Sequence, residues 1–265
     1  MAFLVSDKEL IRIQSPYQLI VVGEQHGVRY LRFGGESAGW QGAMVVASPK
    51  RLYFPYQQAF SFYEAFVPEV SNFLSIGVGT GTSLSHVHER HPKASLLGIE
   101  WDPRVLDVAR NYFSLPDDRI KLIEADARIV LPKMHERFDL IFLDAYYRDK
   151  TPKTFYSPLY LKVLADRLET DGVLAINMIT VTQGSRSKPF VELCAWLTEL
   201  IGPVFTLSLG PLAYTPHNLL LFAVKTDTLW QDIRIARQEA MHKIINHPEY
   251  YRFWSRVLPY RIHRW

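Results

Sequence analysis

Ser75-Ile76-Gly77-Val78-Gly79-Thr80-Gly81 is the stretch that decides the fold. The apolar run Phe73 to Ile76 leads into it, and a helical pattern from Gly81 to Arg90 comes next. Strand, glycine bend and helix in that order make the ligand-facing turn of an open parallel α/β sheet. Glycine is needed here because a side chain at the bend would hold a ligand away from the backbone. The helix start behind the bend offers N–H groups without intrahelical partners. The spacing also discriminates. A dinucleotide fingerprint places its third glycine five residues after the first, where this chain has Thr82. No G-x-x-x-x-G-K-[ST] run is present, which argues against a nucleotide triphosphatase.

Outward from the bend, apolar strands alternate with helical stretches. Ser95 to Ile99, Ile120 to Ile123, Phe138 to Leu143 and Gly172 to Ile176 read as strands. Phe205 to Leu209 and Leu219 to Val224 read as a closing antiparallel pair. Asp102 caps a helix that has Pro103 at its first position. Tyr56 to Phe66 and Val191 to Leu200 also read as helical. The expectation is a Rossmann-like, seven-stranded, mainly parallel sheet with helices on both faces. Upstream, Leu19 to Val22, Val28 to Phe33 and Ala43 to Ala47 read as short strands separated by glycine turns. Such a small sheet is marginal alone and must pack on the larger domain downstream of it. This divides the chain into a β-strand domain over 1–55, the Rossmann-like domain over 56–225 and a helical tail over 226–265.

Composition narrows the class. The 265 residues are 48% hydrophobic and 22% charged, with a net charge of +3. That charge is too weak to argue for nucleic acid. Cys194 is the one cysteine, so no intrachain disulfide can form, which fits a reducing cytoplasm. Its apolar helical surroundings mark a core thiol. The start lacks the features of a signal peptide, and no apolar run is long enough to span a membrane. His86, His88 and His91 are not read as a metal site, and none is expected. The tail mixes arginines with aromatics from Tyr250 to Leu258. Packing on the domain or on a second subunit accounts for it better than RNA or a membrane does.

Carboxylates close three further strands. Glu100 follows the second, roughly twenty residues beyond the bend, where an acid can take both ribose hydroxyls. Asp126, in Glu124-Ala125-Asp126-Ala127, follows the third and can read an adenine edge. Asp144, in Phe142-Leu143-Asp144-Ala145, ends the fourth. Strand tips in a buried sheet rarely carry three acids without a ligand. The bland alternative is that they cap helices or open turns.

Gly77, Gly79 and Gly81 resemble the first motif of the class I methyltransferase superfamily. Over roughly residues 14–225 the chain resembles the spermidine synthases, the polyamine aminopropyltransferases. Ser15-Pro16-Tyr17-Gln18 and Phe54-Pro55-Tyr56-Gln57 resemble that family's two Tyr-Gln segments. The resemblance implies a donor site of Gln18, Gly77, Gly79, Thr80, Gly81, Glu100, Trp101, Asp126 and Ala127. It implies S-adenosylmethionine or its decarboxylated form as co-substrate, an amine acceptor and a homodimer. Asp144, Tyr147 and Tyr214 take the catalytic places, with Tyr56, Gln57, Tyr146 and Asp149 around the acceptor. The family's loop reads G-G-G-D-G and its fourth-strand motif D-S-x-D-P. Two family acids therefore fall on Thr80 and Tyr147 here. The implied activity is group transfer to an amine. A methyltransferase on the same fold and a non-catalytic nucleoside-binding protein are the alternatives.

Overall fold

The computed structural model describes residues 7–146, 153–210 and 212–226, and the backbone of 262–264. Four strands open the chain: β1 (Lys8–Gln14), β2 (Leu19–Gln25), β3 (Val28–Phe33) and β4 (Trp40–Val45). They pair antiparallel in chain order. Helix α1 (Pro55–Phe60) and a short 3-10 turn, Ser61–Ala65, lead to the second sheet. The sequence pattern reads this region as one helix. The α-helical turn instead tightens after Phe60.

The second sheet is built from alternating units. These are β5 (Asn72–Ile76), α2 (Thr82–Arg90), β6 (Ser95–Glu100), α3 (Pro103–Tyr112), β7 (Ile120–Glu124) and α4 (Ala127–Val130). Then come β8 (Phe138–Leu143), α5 (Pro158–Arg167), β9 (Leu168–Thr180) and α6 (Lys188–Leu200). Strands β10 (Val204–Ser208) and β11 (His217–Val224) follow. A three-residue strand, β12 (Ile262–Arg264), pairs with β10. The spatial order is β12-β10-β11-β9-β8-β5-β6-β7. Strands β5 to β9 run parallel, and β10, β11 and β12 pair antiparallel. All seven expected strands form, and β12 adds an eighth at the β10 edge. The helical tail expected over 226–265 lies outside the described residues except for Thr226 and β12.

The strands read as near-continuous apolar runs because both faces of the sheet are covered. Leu140 and Phe142 of β8 point to one core, with Phe60, Phe73, Leu84 and Leu106. Ile141 and Leu143 point to the other, with Leu161, Leu164, Leu193 and Leu197. The third core explains how the small sheet is stabilised. Ile20, Val22, Leu31 and Met44 pack on Val105, Val108 and Phe113 from α3 and its C-terminal cap. Helix α3 starts as its sequence implies: Asp102 accepts from the Arg104 N–H at 3.0 Å, and Pro103 follows. Among the described residues no helix is long and apolar enough to cross a bilayer.

Candidate active site

Strand β5 lies between β8 and β6, so the chain moves outward on one side and returns on the other. Loops diverge at such a switch point, and a crevice opens at the strand C-termini. The bend 77–81 sits there. Gly77, Gly79 and Gly81 have φ of 86°, 55° and 74°, a region that favours glycine. Their roles differ. A Cβ on Gly77 would stand 2.5 Å from the Asp144 carbonyl oxygen, so the bend lies directly on the loop after β8. A Cβ on Gly79 would meet nothing within 4 Å, so that side of the bend is open. A Cβ on Gly81 would stand 2.6 Å from Leu115 Cδ1. Gly81 is the α2 cap packed on the core rather than a wall of the cavity, a correction to its expected donor contact.

Glu100 binds the bend to its own strand end. Its Oε2 accepts from the Val78 N–H at 3.0 Å, and its Oε1 from those of Trp101 and Asp102 at 3.0 and 3.3 Å. Burial raises its pKa, opposed by these hydrogen bonds. Asp102 in turn anchors the segment before β2. Ser15 Oγ donates to Asp102 Oδ2 at 2.6 Å and accepts from the N–H groups of Tyr17 and Gln18. The turn places Tyr17 over Trp101, with ring centroids 4.7 Å apart and planes at 21°. It also buries Gln18, whose Oε1 has no hydrogen-bond partner among the described residues.

Asp126 has two engagements. It caps α4 by accepting from the Arg128 N–H at 2.9 Å, and Arg128 Nε donates to the same oxygen at 2.9 Å. The Arg128 guanidinium holds this carboxyl below its usual pKa range. The capping alternative therefore holds for Asp126, although it, Ala127 and Arg128 all line the cavity.

Asp144 is half-buried at the end of β8. Asn177 Nδ2 donates to its Oδ1 at 2.8 Å, and Asn218 Nδ2 donates to Asn177 Oδ1 at 3.2 Å. Burial pushes the Asp144 pKa up to about 6 against that one opposing bond. Burial and then the nearby Asp144 charge raise the Tyr56 phenol. The Tyr56 hydroxyl donates to the Gln41 carbonyl at 3.4 Å, and the Tyr146 hydroxyl to the Asn177 carbonyl at 3.4 Å. Gln57 is turned to its own helix: its Oε1 accepts from the Phe54 N–H at 3.0 Å, closing the start of α1. Thr80 shares a 2.8 Å hydrogen bond with Thr82. A Cβ on Gly42 would lie 2.3 Å from Thr80 Cγ2, so strand β4 presses on the bend.

One cavity of about 400 Å³ joins these parts. Gln18, Tyr56, Gln57, Gly77, Gly79, Thr80, Glu100, Trp101, Asp126, Ala127, Asp144 and Tyr146 all line it. Tyr214 does not. It is 61% exposed, and its carbonyl accepts from Arg186 at 3.0 Å, so its expected catalytic place is corrected. Tyr147 and Asp149 lie outside the described residues. Trp40, Phe60, Arg128 and Asn218 also line the cavity, and none of them belongs to a motif. Only the alternation of β11, which puts Asn218 on the Asn177 side, carries a sequence signal for any of them.

A family model described as a methyltransferase domain matches residues 73–179. A probable spermidine synthase from Corynebacterium glutamicum superposes with a TM-score of 0.75 at 17% identity, covering 90% of this chain and 88% of that one. Human methyltransferase-like protein 13, solved in complex with SAH, superposes with a TM-score of 0.59 at 18% identity, covering 74% and 94%. Fold and crevice thus define a member of the class I methyltransferase fold. A polyamine aminopropyltransferase from Vibrio vulnificus is 28% identical over 188 residues, 68% of this chain and 63% of its own length. On that fold the chain is similar to polyamine aminopropyltransferases in sequence and to a probable spermidine synthase in structure. It spans less than two thirds of the length of the curated relatives it matches first.

Proposed function

We propose that this chain is a transferase that moves an alkyl group from an adenosyl sulfonium donor to the nitrogen of a small amine. The donor is S-adenosylmethionine or its decarboxylated form. The observation that carries this reading is the single cavity running from the bend and Glu100 to Asp144. Glu100 takes the ribose hydroxyls, and the open face at Gly79 lets the nucleoside reach the backbone. Gln18 Oε1, buried and lacking a partner among the described residues, supplies a hydrogen-bond acceptor at that end. Trp101 and the Asp126-Ala127 turn flank it.

Asp144 serves as the base. A protonated amine is no nucleophile, and an acid with a pKa near 6 is ionised at neutral pH yet basic enough to take its proton. Asn177 holds the carboxylate in place. The freed nitrogen lone pair attacks the carbon beside sulfur. The carbon–sulfur bond breaks, and its electron pair stays on the neutral thioether. Tyr56 and Tyr146 line the acceptor side, where ring faces attract a cation. Tyr147 and Asp149 belong to this side by family resemblance. The chain divides into units at 1–55, 56–225 and 226–265, and works as a cytoplasmic homodimer.

Calorimetric titration with S-adenosylmethionine, decarboxylated S-adenosylmethionine and methylthioadenosine tests the reading. Binding of a sulfonium nucleoside, with amine-dependent release of its thioether product, is the expected result. Absence of nucleoside binding overturns it. A methyltransferase is the second reading, supported by the Gly77-Gly79-Gly81 spacing and the matching domain model. A clear preference for intact S-adenosylmethionine selects it.

A further inference from the structure

Asp144, Asn177 and Asn218 form a row of hydrogen bonds running from the end of β8 across β9 to β11, neighbours in the sheet. Asn177 Nδ2 donates to Asp144 Oδ1 at 2.8 Å, and Asn218 Nδ2 donates to Asn177 Oδ1 at 3.2 Å. The strand register sets this row. Leu220 stands opposite Asn177, and Asn218 stands opposite Ile179. Residues two apart share a face, so Asn218 meets Asn177 on the diagonal. Further along that face Ala175, Leu220 and Phe222 belong to the apolar core. Asn177 is buried where this apolar face ends, and a buried amide needs partners on its nitrogen and its oxygen. Strand β11 is paired with β9 on one side and β10 on the other, so Asn218 stands on backbone held from both sides.

The direction of the row follows from its charged end. An ionised carboxylate only accepts, whereas an amide has one donating and one accepting end. Asn177 must turn its nitrogen to Asp144, which turns its oxygen to Asn218. Asn218 meets that oxygen with a donor. Turned the other way, Asn177 would set oxygen against oxygen at Asp144. Removing the Asn218 donor takes away one of the two bonds that fix the amide. Burial raises the Asp144 pKa and the Asn177 bond opposes it, so loosening of Asn177 is read as a further rise.

We propose that Asn218 is a positioning residue: by donating to Asn177 it locks that amide in the one orientation that holds Asp144 as a carboxylate. This rests on the reading of Asp144 as the base of a transferase and adds a residue to the machinery that prepares it. Asn218 lines the same cavity, yet it acts through Asn177 rather than through the substrate.

The experiment follows the Asp144 carboxyl carbon by NMR in the aspartate-labelled full chain as pH is varied. Its signal is assigned as the one missing from Asp144→Asn. Asn218→Leu should raise the titration midpoint by about half a unit, roughly a threefold change in proton affinity. Asn218→Val removes the same donor with a side chain that strands favour, and should give the same displacement. Asn218→Gln keeps the amide and should hold the midpoint within about 0.2 unit of the unaltered chain. In a chain already carrying Asn177→Leu, adding Asn218→Leu should move the midpoint by less than about 0.2 unit, because the link to Asp144 is gone. Every other ionisable group is common to the chains compared, so its influence cancels in the differences. Loss of solvent around Asp144, or a direct role of Asn218 on the carboxylate, would persist in the Asn177→Leu background. An unmoved midpoint in both Asn218→Leu and Asn218→Val overturns the proposal, as does an equal displacement with and without Asn177. Calorimetric binding of methylthioadenosine to the same chains is scored separately. A midpoint that responds in a chain that binds no nucleoside keeps the hold of Asn218 on Asp144 and overturns the transferase reading. Nucleoside binding with an unmoved midpoint overturns only the role of Asn218.

Discussion

Asn177 donates a 2.8 Å hydrogen bond to Asp144 across the ends of two neighbouring parallel strands. It is the one interaction that opposes burial in setting the Asp144 pKa. Asn177→Leu removes it, so the Asp144 pKa must rise further above 6. The acidic limb of the pH–rate profile for kcat should move to higher pH, by up to about one unit for a lost bond worth about 1–1.5 kcal/mol. Donor affinity should stay within about twofold. An unmoved limb would show that Asp144 is not the titrating base.

The same shift has a consequence for stability. The folded pKa of Asp144 is raised from 3.8 to about 6. The stabilisation linked to its proton is therefore fully present below the unfolded value and is lost as pH rises through about 6. Asp144→Asn stays neutral and keeps an acceptor for Asn177. Relative to the unaltered chain it should gain on the order of 1–3 kcal/mol at pH 8, with the advantage fading below pH 4. Thermal melts at the two pH values measure this. A gain that is the same at both would assign the effect to packing instead.

Glu100→Ala should weaken methylthioadenosine binding by about 1.5–3 kcal/mol, the worth of a hydrogen bond to a charged group. It also frees the Val78, Trp101 and Asp102 N–H groups, so melting temperature should fall as well. Glu100→Gln keeps an acceptor and separates the two effects. Calorimetry on the glutamine variant should still show reduced affinity, with most of the stability restored.

Ser15→Ala cuts the contact from the N-terminal segment to Asp102. Tyr17 then loses its register over Trp101, and Gln18 its place in the cavity wall. The expected cost is about 1–3 kcal/mol of stability, because Asp102 is fully buried and loses a donor. Donor KM should rise while kcat changes less, since Asp144 is untouched. Steady-state kinetics with saturating amine checks the split.

Gly77→Ala should be the most damaging single methyl. Its φ of 86° suits glycine, and the new carbon would press on the Asp144 carbonyl at 2.5 Å. Backbone strain of this type costs about 1–3 kcal/mol before the clash is added. The variant should lose both nucleoside affinity and amine turnover, because the bend and the loop after β8 move together. Gly79→Ala has open space beside it, so it should cost less stability than Gly77→Ala, while its methyl, on the face the nucleoside uses, should still lower nucleoside affinity. Equal loss of melting temperature in both variants would contradict the packing read at Gly77.

Much of the architecture was legible in the chain itself. Apolar runs and glycine bends marked seven of the eight strands of the main sheet, because strands covered on both faces are long apolar runs with sharp ends. Glu100 and Asp144 were legible because an acid at a strand tip is conspicuous. Asp126 was legible as a residue but not as a role, since Arg128, two positions on, takes its charge. Tyr214 failed because Thr-Pro after a tyrosine marks a turn as readily as a site, and the turn is exposed. Trp40 and Phe60 were hidden for a simpler reason. Their places in the cavity come from how separate elements meet, and no local spacing encodes that meeting.

The contact of Gly42 with Thr80 ties the two halves of the molecule to one event. Among the described residues the small sheet shares its core with α3, and it forms the roof over the bend. A ligand seated beneath therefore acts as a rivet through both halves, and its binding energy should add to their joint resistance to unfolding. Occupancy would then be felt throughout β1 to β4, in slower amide exchange well beyond Phe33, Trp40 and Gln41, the strand residues that line the cavity.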